Sequence, residues 1–381
     1  MKKRKQAALS YVLIWIALIG IGAAAYSNTF QVPFVFDDYL TIQRNVGVRF
    51  TEFNWNMLSG RSVLYLTFTG NYAWTGQEVW SYHLVNLILH IANGLMVFWL
   101  ALCIFRQTGL VERFARASGF FAAGFFLVHP VQTESVTYIS SRSELLAGFF
   151  YLIGMLLFMK WPYRRGFLLF LIMAIVFFLG LGSKETVITL PLAIMLYDYL
   201  FLSEARLSGL LSRWRFYAPF VVGGLGAIYY IVTVTLRQSI GGSLPGHLTP
   251  WQYLLTQTQV VCQYIYLVFW PVSLNLDYDW PASKTLLDPY VIGAILLHAG
   301  ILFLAYRLCR AWPVFAFSIV WFYLTLAPTS SVVPILDVIF EHRLYLSMIG
   351  VCISFPLLID LVSRKLQEGW SRCANVIRAS L

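Results

Sequence analysis

Apolar runs too long for a soluble core set the first constraint on this chain. Residues 166–182, GFLLFLIMAIVFFLGLG, carry no charge, and comparable runs recur along the sequence. A bilayer core takes about 20 apolar residues per helical crossing. A segment in lipid must also satisfy its own backbone hydrogen bonds, which leaves helices and closed barrels. Barrel strands alternate apolar and polar residues over short stretches; these runs do not alternate. Charged residues are 12% and hydrophobic ones 59% of the 381, where soluble domains carry roughly 25% charge. That balance excludes a soluble globular protein, a disordered chain, a small disulfide scaffold and a nucleic-acid binder built on a basic surface. The expected fold is an all-α polytopic membrane protein, one domain over 1–381.

Membrane helices are expected near 9–27, 82–105, 114–129, 143–160, 166–182, 187–202, 216–236, 289–306, 312–328 and 343–362. Segment 251–272 makes an eleventh if it crosses, but Gln252, Gln257, Gln259 and Gln263 make its first half polar. MKKRK before Tyr11–Ala25 reads as an uncleaved first span rather than a signal peptide, because further spans follow. The net charge of +10 is then loop charge. With ten crossings and both termini cytoplasmic, most Lys and Arg fall inside, as the positive-inside rule requires. A bacterial inner membrane is the expected location. Loops 28–81 and 237–288 then lie outside, with interfacial helices on that face and Trp74, Trp80, Trp251, Trp270 and Trp280 in an interfacial belt. The five cysteines show no CxxC and no paired spacing, so neither a disulfide nor a zinc role is expected.

Ionisable groups beside an apolar bundle are costly and usually functional. Here they gather at helix ends predicted to share the outer side: Asp37-Asp38, His129 and Glu134, Arg142 and Glu144, Lys184-Glu185, Asp277 and Asp279, and Glu341-His342-Arg343 with Tyr345. The acids Asp37 and Asp38 suit proton acceptance or cation binding; the alternative is a helix N-cap. His83, Asn86 and His90 share a helix face, with interhelical hydrogen bonding as the competing role. His129 and Glu134 with Asp38 would be the ligands if a divalent metal is bound, although no tight ligand spacing demands one. Arg142 either pairs structurally with Glu134 or Glu144 or acts directly in catalysis. Lys184 and Arg343 suit an anion clamp, or neutralise Glu185 and Glu341. Asp198 and Asp360 are expected to pair with cytoplasmic Lys and Arg.

Taken in order, PFVFDD, SYHLVNLILHIANGL, FFLVHPVQTESVTYISSRSELLA, SKETVITLPLAIMLYD and EHRLYLSMIG resemble the membrane domain of the transmembrane-and-tetratricopeptide-repeat O-mannosyltransferases and their bacterial relatives, in the GT-C superfamily. The resemblance covers roughly 30–350. It implies a GT-C-like bundle of ten to eleven helices, with a polyprenyl-phosphate sugar donor used on the outer face. The acidic motif of the first outer loop is matched by Asp37-Asp38, and the other blocks by His129-Pro130, Arg142-Ser143-Glu144, Lys184-Glu185 and His342-Arg343-Leu344-Tyr345. Arg343, with His342 or Lys184, would hold the donor phosphate. Asp37 or Asp38 would take the acceptor proton in a one-step, inverting transfer of a mannose-like hexose. His83, His129, Glu134, Arg142, Glu144, Glu185, Glu341 and Tyr345 would support the site or face the acceptor. No cofactor is required, and a divalent metal is compatible with this chemistry.

The sequence ends at Leu381 with no helical repeat of the kind that family carries. The expected acceptor is therefore open between protein, lipid and glycan, with a partner protein as a substitute for the repeats. Expected partners are the donor and membrane lipids; no nucleic acid is expected. A lipid or glycan transporter is the rival reading. It would distribute charge through the membrane depth in paired broken helices, which this sequence does not do. A non-catalytic scaffold would leave the clustered acids and bases unexplained.

Overall fold

The computed structural model describes residues 2–49, 61–161, 166–241, 248–335 and 337–379. Among them all regular structure is helical. The long elements are α1 (Lys2–Ala25), α2 (Ser62–Thr75), α3 (Val79–Gln107), α4 (Glu112–Val128), α5 (Arg142–Lys160), α6 (Phe167–Leu181), α7 (Leu190–Tyr197), α8 (Trp214–Gly241), α9 (Pro250–Phe269), α10 (Pro289–Leu308), α11 (Pro313–Leu326) and α12 (Leu344–Ala379).

Local sequence explains most boundaries. Proline occupies the first turn of α7, α9, α10 and α11, where its missing N–H costs nothing. Thr249 and Gln252 form a reciprocal capping box on α9, and the Asp288 side chain accepts the Tyr290 N–H on α10. Gly76 ends α2 at φ +64, a conformation that strains residues with a Cβ. After α4 the chain breaks at His129-Pro130 and bends by 52° into Pro130–Thr137. The proline ring cannot continue the helical ladder.

The core runs along α3, α4, α5, α11 and α12, with Phe98, Phe126, Tyr151, Trp321 and Tyr345 fully enclosed. Small residues let these helices meet closely. A Cβ on Gly350 would lie 2.8 Å from the Ser318 carbonyl oxygen, and one on Gly94 would lie 2.5 Å from Leu127. The perimeter is the reverse of a soluble surface: Phe167 and Leu168 on α6, Leu296 and Phe303 on α10, and Leu13 and Ile16 on α1 are all exposed. Apolar surface on that scale needs a lipid solvent. The protein is an all-α polytopic membrane protein.

Every segment expected to cross coincides with a helix, and so does 251–272. By length and apolarity, however, five helices among the described residues qualify alone, or six counting the bent pair. Leu9–Ala25, Phe167–Leu181 and Pro313–Leu326 are shorter apolar helices. The sequence count of ten or eleven is higher because it treats short apolar helices as full spans. It also includes 216–236, which falls in α8, a helix with an internal proline at Pro219.

Candidate active site

One end of the bundle collects the ends of α3 to α7 and the start of α12, joined by short 3-10 turns at 29–31, 130–132, 139–141, 185–189 and 341–343. Such turns stop a helix abruptly and turn its last side chains across the bundle end.

The first loop carries the acidic pair, and the two acids have different surroundings. Asp38 is buried. Its Oδ1 accepts the Ser140 N–H at 2.8 Å and the Ser140 hydroxyl at 2.5 Å, and its Oδ2 accepts the Val35 N–H at 3.1 Å. Burial pushes the Asp38 carboxyl above the usual carboxylate range, against the pull of those hydrogen bonds. It makes no cap to the following turn, so the N-cap alternative is corrected: Asp38 ties the first loop to the 138–141 turn. Asp37 is exposed. Its backbone is fixed by the Tyr138 and Thr41 hydroxyls at 3.1 and 2.8 Å, while its carboxylate has no hydrogen-bond partner among the described residues. Phe36, just before it, sits at φ 51, a strained conformation of the kind that persists where the surroundings enforce it. The Phe36 ring lies 6.4 Å from those of Tyr138 and Phe340.

That contact brings the first loop to the start of α12. Arg343 donates to the Val338 and Asp337 carbonyl oxygens at 3.0 and 2.6 Å. It does not neutralise Glu341, as the sequence suggested, because Glu341 accepts the Asn275 N–H at 2.7 Å and the Tyr278 hydroxyl. Among the described residues the guanidinium thus has no direct carboxylate contact, and the charges of Arg343, Asp37 and Asp277 all act on the Asp337 carboxyl. Burial raises the Asp337 pKa; Arg343 opposes that shift and the two acids add to it. Asp37, Asp277, Asp337 and Arg343 therefore occupy one neighbourhood. His342 is held by Glu134, which meets its Nδ1 at 2.5 Å and accepts its backbone N–H at 2.9 Å. The imidazole stacks on Phe340 at 4.8 Å, and Nε2 has no partner among the described residues.

Three residues on one face of α9 hold this segment of the site; in the sequence Gln257 stands out only as polar, and Tyr253 and Tyr264 not at all. Gln257 donates to Val338 O at 2.8 Å, the Tyr264 hydroxyl donates to Phe340 O at 3.0 Å, and Tyr253 reaches Thr329 O at 2.7 Å. Gln259 reaches Ser283 at 2.9 Å. Two of the glutamines that make 251–272 unusually polar, Gln257 and Gln259, are thus docking points for loops, and Gln252 caps its own helix. Trp74, Trp80, Trp251 and Trp270 are exposed, as a belt requires, but Trp280 packs on the core.

Arg142 corrects another expectation. It is fully buried and pairs with neither Glu134 nor Glu144. Its guanidinium donates to Asn86 at 2.7 Å, Asn71 at 2.6 Å, Thr67 at 3.2 Å and Tyr82 O at 3.0 Å, and lies over the Phe68 ring. It clamps α2, α3 and α5 beneath the site. His83 holds the first loop through Val32 O at 2.9 Å. His90 bridges the Tyr345 hydroxyl and Leu127 O at 3.0 and 3.2 Å. Tyr345 and His90 are therefore interhelical contacts in the core.

Lys184 pairs with Glu144, not Glu185, and both are buried. Glu185 pairs with Arg61 at 3.2 Å. His129 accepts the Val131 N–H at 3.3 Å and meets Val268 O at 3.1 Å. Asp38, His129 and Glu134 thus each point to a different partner, so the candidate metal set does not converge. Among the described residues no group of three His, Cys, Asp or Glu is arranged to hold a metal.

No protein-family model matches the chain. It is similar to curated proteins in three animals. One is protein O-mannosyl-transferase tmtc2 of Xenopus laevis, 25% identical over 331 residues, 75% of this chain and 38% of that protein. Another is Tmtc1 of Drosophila melanogaster, 28% identical over 304 residues, 70% of this chain and 34% of that protein. The third is TMTC2 of Mus musculus, 32% identical over 170 residues, 39% of this chain and 18% of that protein. The chain spans well under half the length of these relatives. Over up to three quarters of its length, then, the chain is similar to animal proteins named protein O-mannosyl-transferases.

Proposed function

We propose that the chain is a membrane glycosyltransferase of GT-C type, moving a mannose-like hexose from a polyprenyl-phosphate donor to an acceptor hydroxyl at the bundle end that carries Asp37. The relatives are protein O-mannosyl-transferases by name, which favours mannose and a protein hydroxyl. What supports this reading is that, among the described residues, Asp37 has an unpartnered carboxylate and Arg343 no carboxylate contact, while the Phe36 ring beside Asp37 lies 6.4 Å from Phe340, over which the Arg343 guanidinium sits at 5.6 Å.

In the proposed step the Asp37 carboxylate takes the acceptor proton as the acceptor oxygen bonds to the anomeric carbon. The bond from that carbon to the donor phosphate oxygen breaks on the opposite face, and its electron pair leaves with the phosphate. Arg343 stabilises the charge that develops there, with His342 beside it, oriented by Glu134. Asp38 positions Asp37. Lys184 contributes field rather than contact, since its ammonium is already bound to Glu144. The site faces the periplasm in this reading. A metal is not part of the proposed step.

The full chain, reconstituted with labelled undecaprenyl-phosphate mannose and an envelope protein extract, is expected to transfer label to protein, with Asp37→Asn inactive. Undiminished transfer by Asp37→Asn would refute the base assignment; absence of transfer from any polyprenyl-phosphate sugar by the wild-type chain would refute the reading as a whole.

A further inference from the structure

At the opposite end of the bundle α1 and α4 lie side by side and run in the same direction. Arg116 donates to Ser10 at 2.8 Å, and the Tyr11 hydroxyl donates to Glu112 at 3.0 Å. Beside these contacts, α1 and α4 line a groove of about 650 Å³. Its floor includes the small residues Ala17 and Ala117, and its walls include Leu13 and Phe121. Leu13 is 58% and Phe121 63% exposed. Beyond this stretch, a Cβ on Gly20 or Gly124 would meet nothing within 4 Å, so the open space extends along the helices.

The mouth is cationic. Arg113 and Arg116 line it. Glu112, the acid beside them, is already engaged by Arg106 at 2.6 Å and lies 3.5 Å from Arg116. Arg113 makes no hydrogen bond or ion pair among the described residues. The sequence adds Lys2, Lys3, Arg4 and Lys5 at the start of α1. An apolar trough with a surplus of positive charge at one end matches one class of molecule, an amphiphile with an anionic head. Length agrees: from Arg113 to Gly124 the helix rises about 16 Å at 1.5 Å per residue, and one leaflet's hydrocarbon is roughly 15 Å deep.

We infer that the α1–α4 groove binds one anionic phospholipid of the adjacent leaflet. The phosphate sits against Arg113 and Arg116, and one acyl chain lies over Ala17 and Ala117 between Leu13 and Phe121. The site is separate from the proposed donor site, which is at the other end of the bundle. A zwitterionic lipid fills the trough equally well but carries its own cation, so selectivity comes from the mouth and capacity from the floor.

Native mass spectrometry of the full chain, released from detergent with equal phosphatidylglycerol and phosphatidylcholine, tests this. The wild type is expected to retain phosphatidylglycerol preferentially. Arg113→Gln should lower that adduct roughly five-fold, the usual contribution of one basic residue near an anionic surface. Ala117→Trp, which fills the floor, should lower both adducts. Inorganic phosphate at the same concentration should displace neither. Thermal unfolding within about 2 °C of wild type, about the scatter of a sub-kcal/mol change, qualifies each variant as folded; Arg113→Ala and Ala117→Phe replace any that fails. Equal retention of the two lipids by the wild type, an undiminished adduct in either variant, or displacement by phosphate overturns the inference.

Discussion

The two ends of the bundle use charge differently. At the end away from Asp37, acids and bases pair with near neighbours in sequence: Arg106 with Glu112, Arg213 with Asp198, and Arg364 with Asp360. At the Asp37 end, the buried groups are bound across long stretches of chain. Asp38 reaches Ser140, Glu134 reaches His342, and Lys184 reaches Glu144. Many of those partners are backbone amides, carbonyls or hydroxyls, which hold a group in place without cancelling its charge. Local pairs settle a loop in the headgroup region. Distant, mostly neutral partners build a rigid cradle and, among the described residues, leave charges without an ion pair, Asp37 and Arg343 among them, for something else to meet.

The sharpest way to break this contrast is within the acidic pair. Asp37→Asn should lower sugar transfer by roughly 10²- to 10⁴-fold, the range of a lost general base, and leave the unfolding temperature unchanged, because its carboxylate has no hydrogen-bond partner among the described residues. Asp38→Asn should lower both, since it loosens the bonds to Ser140 and Val35. Equal behaviour of the two variants in both measurements would erase the distinction between catalytic and positioning acid.

Arg142 tests the cradle. Arg142→Ala would strand the Asn71 and Asn86 side chains in the interior, at about 1–3 kcal/mol for each unsatisfied group. A loss near 3 kcal/mol is expected in detergent unfolding, with activity lost in proportion to folded protein. A stable, inactive Arg142→Ala would move this residue from scaffold to chemistry.

The same contrast explains what could be read before the structure. The helices were legible because apolar runs, first-turn prolines and the Thr249–Gln252 box are local signals. So was the gathering of ionisable residues at one end of the bundle, since Asp37, Glu134, Lys184 and Arg343 all interrupt apolar sequence. Their pairings were not legible. Glu134 and His342 are 208 residues apart, and nothing local points one at the other. Proximity in sequence misled instead: Glu341 and Arg343 are neighbours that turn to different loops, as are Lys184 and Glu185. Asp337 escaped notice as a lone acid in SVVPILDVIF, and the glutamines of α9 read as a poor membrane segment rather than a docking face.

A smaller effect separates charge from geometry at Arg343. Arg343→Lys keeps the cation but loses the fork that spans the Asp337 and Val338 carbonyls, and the planar match to phosphate oxygens. Transfer should fall about ten-fold, roughly 1.4 kcal/mol, with the loss mainly in donor KM. An unchanged KM would argue that Arg343 shapes the 337–338 turn and does not touch the donor.

Protonation of Asp38 gives a finer test. Its raised pKa means that the folded protein holds this proton more tightly than the unfolded chain does. Stability from this group is therefore greatest at acid pH and declines as pH climbs from the ordinary Asp range through the raised folded value. Asp38→Asn should flatten that stretch of the stability–pH profile; an unaltered slope would mean another group carries it.

The smallest change belongs at the far end. Arg106 and Glu112 are 42% and 46% exposed, so water competes for both, and an exposed pair contributes about 1 kcal/mol or less. Arg106→Ala should shift the unfolding temperature by no more than a few degrees and leave transfer untouched, because Glu112 keeps Arg116 and Tyr11 as partners. A drop in transfer comparable to that of Arg343→Lys would show that the two ends are coupled through α3, which joins Arg106 to the His83 and Asn86 side chains under the site. The division of labour between them would then have to be replaced by a single charge network running the length of the helix.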